Sequence, residues 1–139
     1  MEITYNEMIP DVSTYFKLRQ SVGWEIFRVE QAKKALCGSA FFVLAKDGER
    51  PVAMGRAVGD GMYYVIADVV VRPECQGNGI GKTIVSRLMK LIRDNSPEGA
   101  RVSIQLIAAK DKEEFYEKQG FRMLPHENCG PAFRKVFYT

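Results

Sequence analysis

The chain has 139 residues, the length of one average domain and enough to bury a hydrophobic core without metals or disulfides. Hydrophobic residues make up 46% of it and aromatic residues 11%, which excludes a mainly disordered or collagen-like chain. The formal net charge of +3 is too small to indicate a nucleic-acid binder by itself. We therefore expect a single domain over residues 1–139.

The cysteines and the N-terminus bear on metal content and cellular location. Cys37, Cys75 and Cys129 are widely spaced and form no CxxC pair, and His126 is the only histidine, so no metal site is predicted. Such a cysteine set suits a reducing compartment. The first residues lack the pattern of a signal peptide, and the longest apolar stretch, 62–71, is too short to span a membrane. The sequence predicts a soluble, cytoplasmic protein.

The first elements in chain order are a strand and two helices. A short strand is predicted at 3–5, followed by a helix at 11–20 that Asp11 would cap. A second, more polar helix is predicted at 29–36. It would end near Gly38, which suits a C-terminal cap.

The middle of the chain is typical of strands. The apolar run at 40–45, the turn Asp47-Gly48 and the returning run at 51–58 predict a hairpin. A third strand is predicted at 62–71. It is apolar at both alternations, as expected for a central strand that is covered on both faces.

The second half alternates between helices and strands. An amphipathic helix of about four turns is predicted at 80–92. It is followed by a strand at 101–108, a short helix at 110–119 that Gly120 closes, and a final strand at 133–138. The predicted fold is a mixed α/β (α+β) domain with the order β-α-α-β-β-β-α-β-α-β-β.

A glycine-rich segment joins the third strand to the amphipathic helix. It reads Gln76-Gly77-Asn78-Gly79-Ile80-Gly81-Lys82. An anion fits this place because the first-turn N–H groups of a helix lack helical partners and the helix dipole favours negative charge. The spacing matches neither a Walker A loop nor a dinucleotide fingerprint. A glycine-rich connection that binds no ligand is the alternative.

Two segments carry a resemblance to a known family. The stretch from Val69 through the glycine-rich segment resembles the acetyl-coenzyme A motif of the GNAT superfamily of N-acetyltransferases, in which a Q/R-x-x-G-x-G/A loop follows a valine-rich strand and a proline. Downstream, the stretch from Phe115 to Phe121 resembles the family's second signature, a helix that ends in Y-x-x-x-G-F. The resemblance covers nearly the whole chain. It implies a mixed central sheet of six to seven strands flanked by about four helices.

The resemblance also implies roles for these residues. Acetyl-coenzyme A would be bound by the strand end and the loop, through Val69, Val70, Val71, Gln76, Gly77, Asn78, Gly79, Ile80, Gly81 and Lys82. The loop N–H groups would hold the pyrophosphate, and the strand edge, opened by a bulge in family members, would pair with the pantetheine amides. Tyr116 would donate a proton to the departing thiolate. The chain departs from the family at 108–110, where Ala-Ala-Lys stands in place of a cofactor-contacting asparagine.

A carboxylate inside the apolar third strand is the candidate base. Asp68 would accept a proton from the amine or orient a water molecule. The alternative is a carboxylate that anchors nearby backbone or pairs with a basic side chain. Glu25, Glu30 and Glu127 are weaker candidates for the base.

Together these observations predict an N-acetyltransferase that moves the acetyl group of acetyl-coenzyme A directly to an amine of a small molecule, peptide or protein. A catalytically silent coenzyme A-binding or regulatory module on the same fold is the alternative. We expect a small-molecule amine as partner and no nucleic acid or membrane. The final strand leaves open the pairing of two copies into a homodimer.

Overall fold

The computed structural model describes all residues, 1–139, and their contacts group them into two compact units, Met1–Leu106 and Ile107–Thr139. The single domain expected from the length stays a prediction. The elements of the first unit are β1 (Ile3–Asn6), α1 (Val12–Ser21), α2 (Val29–Cys37), β2 (Phe41–Asp47), β3 (Arg50–Gly59), β4 (Tyr63–Val71), a 3₁₀ turn (Pro73–Cys75), α3 (Ile80–Asp94) and β5 (Ser103–Leu106). The second unit contains α4 (Glu113–Glu117).

The strands of the first unit form one mixed sheet in the order β1-β2-β3-β4-β5. The first three pairings are antiparallel, while β4 and β5 run parallel and are joined through α3. The mixed α/β class is therefore confirmed, as are the hairpin turn after Asp47 and the cap at Asp11, whose carboxylate accepts the Thr14 N–H at 2.8 Å. The sheet has five strands rather than the predicted six to seven.

The strand predicted at 133–138 is not formed. Phe133 is 91% exposed and Phe137 is 73% exposed. An alternation of apolar residues gives a segment the propensity to form a strand, but a strand also needs a neighbour for its backbone hydrogen bonds. This segment pairs with no strand, so the pattern alone does not make one.

Helices cover the two faces of the sheet. The buried side of α3, which includes Ile84 and Leu88, packs on one face, and α1 and α2 pack on the other around Met54 and Val70. The prediction that the whole of β4 is covered on both faces is wrong for its first half, because Tyr63 and Val65 stay 53% and 46% exposed.

Close packing of α3 on the sheet requires a glycine in β3. A Cβ atom at Gly55 would lie 2.6 Å from Ile84 Cγ2 and 3.2 Å from Leu88 Cδ1, both of which belong to fully buried side chains. We expect Gly55→Ala to lower the free energy of unfolding by about 1–3 kcal/mol, the usual cost of overpacking. Urea denaturation measures this. Gly130→Ala, at a site where a Cβ atom would have nothing within 4 Å, is the control, and equal stabilities of the two variants would contradict the packing argument.

Candidate active site

Strand β4 contains a bulge in its second half. Met54 of β3 faces Val70, and Arg56 faces Ala67, so two residues of β4 stand opposite Gly55 alone. Asp68 lies in the bulge with φ +55°, the left-handed region that residues other than glycine rarely adopt. The extra residue turns Asp68 out of the regular alternation of the strand.

The side chain of Asp68 is the centre of a charged cluster. Its Oδ1 accepts from Arg19 Nη1 at 2.5 Å, and its Oδ2 accepts from Arg56 Nε at 2.7 Å and from the Tyr15 hydroxyl at 2.6 Å. Only 7% of the Asp68 side chain is exposed, against 11% and 14% for the two arginines. Of the alternatives that the sequence left open, these contacts correspond to a carboxylate paired with basic side chains. Its role as general base stays a prediction.

Tyr15 takes part in this cluster as a hydrogen-bond donor. Burial, reinforced by the hydrogen bond to Asp68 and the charge of that carboxylate, raises the pKa of Tyr15 to about 12. The phenol therefore keeps its proton throughout the neutral range and donates a hydrogen bond to Asp68.

The glycine-rich loop presents unpaired main-chain donors. Gly77 and Gly79 have φ +84° and +76°, and a Cβ atom added to either glycine would meet no other atom within 4 Å. The first helical bond of α3 runs from Thr83 N to Gly79 O at 3.1 Å, and none of the six N–H groups from Gly77 to Lys82 donates within the protein. An anion such as a pyrophosphate fits these donors and the positive end of the α3 dipole.

Side chains within the loop hold its shape. Gln76 Nε2 donates to Val71 O at 3.0 Å, and Asn78 Nδ2 donates to Cys75 O at 3.1 Å. These bonds use the two polar side chains internally and leave the backbone N–H groups free. Gln76 and Asn78 are therefore suited to shaping the anion site through the main chain.

The strand before the loop has an open edge. The pairing of β4 with β5 extends only from Tyr63 to Ile66, so Val69, Val70 and Val71 have no strand partner on that side. Main-chain groups on an open edge can pair with an extended amide-bearing ligand as an added strand would. The first unit thus contains all ten predicted cofactor-binding residues, three on the open edge of β4 and seven in the glycine-rich segment after the 3₁₀ turn.

Tyr116 lies in α4 of the second unit. Its ring packs edge-on against Phe115 at 4.9 Å and Phe121 at 5.9 Å between ring centroids, and Gly120, with φ +92°, ends the turn. Burial raises the pKa of Tyr116 above the ordinary tyrosine value. The phenol is therefore protonated at neutral pH, as a proton donor must be.

The other three carboxylates that the sequence offered as a base do not join the charged cluster around Asp68. Glu127 pairs with Arg122 at 2.6 Å, and its pKa is lowered by that bond. The backbone carbonyl of Glu25, rather than its carboxylate, accepts from Arg19 Nε at 2.8 Å. Glu30 lies in the exposed first turn of α2.

Comparisons with known proteins identify the family of this fold and loop. The Acetyltransferase (GNAT) domain model matches residues 38–123. A crystal structure of a protein from methicillin-resistant Staphylococcus aureus, described as a "Probable Acetyltransferase", is 31% identical, with a TM-score of 0.84 over 97% of this chain and 100% of that one. A GNAT family acetyltransferase from Streptococcus pneumoniae is 26% identical, with a TM-score of 0.80 over 97% of this chain and 98% of that one. The chain belongs to the GNAT family of acetyltransferases.

Curated relatives include named N-acetyltransferases. Serotonin N-acetyltransferase 2, chloroplastic, from rice (Oryza sativa subsp. japonica) is 36% identical over 129 residues, which are 88% of this chain and 62% of that protein. A protein of Pyropia yezoensis named "Uncharacterized N-acetyltransferase ycf52" is 35% identical over 76% of this chain and 61% of its own length. The chain thus spans about three fifths of the length of these relatives.

The predicted cytoplasmic location is corrected by these relatives. Both the rice protein and GCN5-related N-acetyltransferase 1 of Arabidopsis thaliana, 41% identical over 60% of this chain and 41% of that protein, are named chloroplastic. A reducing compartment, which is all that the cysteine pattern indicates, does not distinguish a plastid stroma from the cytoplasm. As for membranes, none of the helices combines the length and the apolar character that a membrane span requires.

Sequence reasoning missed the cationic partners of Asp68. Tyr15 and Arg19 stand four residues apart on α1, a spacing that places them on one face of that helix. A buried carboxylate needs a hydrogen-bonding or cationic partner. An arginine in the apolar stripe of α1 was therefore a usable signal for this pairing.

Proposed function

We propose that the protein is an N-acetyltransferase that transfers the acetyl group of acetyl-coenzyme A directly to the primary amine of a small molecule. The observation that carries the proposal is the row of six unpaired N–H groups from Gly77 to Lys82, which follows the open edge at Val69–71. Together they match the phosphate and amide groups of one extended ligand. Membership of the GNAT family supports acetyl-coenzyme A as this ligand.

The proposed chemistry divides between backbone and side-chain groups. The amine nitrogen bonds to the acyl carbon, the carbon–sulfur bond breaks, and the sulfur leaves as a thiol. A backbone N–H of the β4 edge would stabilise the developing oxyanion. Tyr116, at the position of the family's proton donor, would protonate the leaving sulfur.

The acceptor must lose a proton before it attacks. An alkylamine with a pKa of about 10.4 is protonated at pH 7, and freeing it costs about 4–5 kcal/mol. An α-amine with a pKa near 7.7–8.0 costs only about 1 kcal/mol. Asp68 stays the proposed base for the first kind of acceptor. If Asp68 instead serves only to pair with arginine, bulk solvent must take this proton.

The acceptor that we propose first is an aromatic monoamine. The relative from rice is named for serotonin, which is such an amine. Two observations support this class: Ile26 and Phe27, in the segment between α1 and α2, are each 47% exposed, and Trp24 lies half-buried beside them. Apolar and aromatic groups at a surface are suited to an aromatic ligand.

An acetylation assay tests the proposal. The protein is incubated with acetyl-coenzyme A and, in parallel, serotonin, α-amino acids, an aliphatic diamine and a lysine-containing peptide, with thiol release and the mass of the product measured. We expect thiol release that depends on the amine, with serotonin the best acceptor. Turnover with an acceptor of another kind in place of serotonin would contradict the aromatic monoamine as acceptor, but not the acetyltransferase activity.

The same assay, together with a binding measurement, distinguishes the enzyme from a catalytically silent coenzyme A-binding module. Binding of acetyl-coenzyme A, measured by calorimetry, without turnover of any acceptor would overturn the enzymatic proposal in favour of a silent coenzyme A-binding module. Absence of both binding and turnover would indicate a glycine-rich connection without a ligand.

A further inference from the structure

Arg19 contacts two parts of the first unit at once. Its Nη1 pairs with Asp68 in the bulge of β4, and its Nε donates to the carbonyl of Glu25 at 2.8 Å. The side chain leaves α1 near its C-terminal end and is only 11% exposed. One guanidinium thus joins the bulge to the segment 23–28 between α1 and α2, which we call the α1–α2 loop.

Aromatic side chains of this loop surround the same guanidinium. Arg19 Cζ lies 5.3 Å from the ring centroid of Trp24 and 4.8 Å from that of Phe27, distances at which a cation is attracted to a ring face. The backbone adds a further bond, from Trp24 N to Arg19 O at 3.1 Å. A planar guanidinium can stack and form directed hydrogen bonds simultaneously, which an ammonium cannot.

On the β4 side, the charged cluster around Asp68 holds the backbone of that residue in an unfavourable conformation. The left-handed φ of Asp68 is costly for a residue with a side chain, although aspartate tolerates it better than most. The bonds from Arg19, Arg56 and Tyr15 fix the carboxylate on three sides. Loss of the arginine pairing would remove what offsets this strain and allow the backbone at Asp68 to change its conformation within the bulge.

We infer that Arg19 is a positioning residue that couples the α1–α2 loop to the bulge of β4, so that a change at either place disturbs the other. This role requires no contact between Arg19 and the acetyl group or the amine. It keeps the aromatic side chains of the loop and the main chain of the bulge in one arrangement. The consequence for catalysis rests on the proposed function, whereas the coupling itself does not.

The coupling is tested by fluorescence, because Trp24 is the only tryptophan of the chain. Asp68→Asn has nearly the same shape and tolerates the same backbone conformation, but it removes the charge that holds Arg19. We expect acrylamide to quench Trp24 about twofold more efficiently in Asp68→Asn and in Arg19→Met than in the wild type, since a released loop exposes the indole. Unchanged quenching in a folded Asp68→Asn variant would overturn the coupling.

A matched control and a conservative variant complete this test. Arg87→Met also removes a guanidinium stacked on an aromatic ring, that of Tyr5 at 4.7 Å, but on strand β1. It should leave the quenching of Trp24 unchanged, and an equal increase there would contradict a specific role for Arg19.

If Arg19→Met does not fold, Arg19→Lys keeps a cation beside Asp68 but loses the stacking, and it should still raise the quenching. Wild-type quenching in Arg19→Lys would overturn the stacking part of the inference.

Kinetics then separate positioning from a merely structural effect. We expect Arg19→Met to lower kcat/KM for the amine by about tenfold or more, as small misplacements of a reacting group do. The KM for acetyl-coenzyme A should rise by a smaller factor, because the loop N–H groups at 77–82 lie outside the bulge. A lower melting temperature with unchanged kinetics would overturn the catalytic consequence. A wild type that acetylates no amine would refute the proposed function while the fluorescence result still decides the coupling.

Discussion

Gly79→Val is expected to weaken the binding of acetyl-coenzyme A by on the order of 10- to 100-fold. Gly79 is the N-cap of α3 with φ +76°, a conformation in which a β-branched residue is strained by about 1–3 kcal/mol. Relief of that strain would turn the neighbouring N–H groups away from the position proposed for the phosphates. A loss of about 1.4 kcal/mol in binding free energy already corresponds to a tenfold loss of affinity. The valine side chain would also enter the path of the phosphates. Isothermal titration calorimetry measures the effect.

Gly99 offers a closely matched control for this substitution. It has the same φ of +76°, and a Cβ atom there would also have nothing within 4 Å, but it lies in the turn before β5. Gly99→Val should lose a similar amount of stability and keep the affinity for acetyl-coenzyme A. If Gly79→Val binds as tightly as Gly99→Val, the assignment of the loop as the phosphate site is refuted.

Tyr116→Phe is expected to lower kcat by about ten- to a hundredfold, toward the low end of general-acid effects. The effect is modest because a cysteine-like thiol, with a pKa near 8.5, is already a tolerable leaving group. Binding of acetyl-coenzyme A should stay nearly unchanged, since the phenol oxygen is the only atom removed. Steady-state kinetics together with calorimetry measure both quantities.

The pH dependence of kcat provides a second test of Tyr116 as the proton donor. A proton donor works in its protonated form, and burial raises the pKa of Tyr116, so wild-type activity should persist to a pH above the ordinary tyrosine pKa before it falls. Tyr116→Phe should lack that alkaline fall. Tyr138→Phe, at a tyrosine that is 87% exposed, is the control and should behave as the wild type. A wild-type rate for Tyr116→Phe at every pH would exclude Tyr116 as the donor.

Predictions that depend on neighbouring residues in the chain agree well with the structure. The cap at Asp11, the hairpin turn after Asp47 and the helix that starts at Ile80 each lie where the sequence predicts them. Caps, turns and helical periodicity are properties of a few consecutive residues, so one sequence is enough to find them. The same holds for the glycine-rich loop, because φ-permissive residues before a helix are visible in the sequence.

Predictions that depend on distant partners are less complete. The segment 133–138 has the alternation of a strand but forms none, because strand formation needs a second segment that the alternation does not specify. The sequence indicates Asp68 as a buried carboxylate. It does not indicate the pairing of Asp68 with Arg19, 49 residues earlier, or with Arg56 on the neighbouring strand.

The sequence by itself determined the mixed α/β class, the loop at 76–82 and the family, because these follow from local pattern and motif. The family resemblance implies a bulge beside Val69–Val71, but only the tertiary structure decided that it lies at Asp68 and that two arginines hold the carboxylate there. The physical reason is that register and ion pairing arise between segments far apart in the chain. Their partners are selected by the packing of α1 and β3 around β4, which no single stretch of residues encodes.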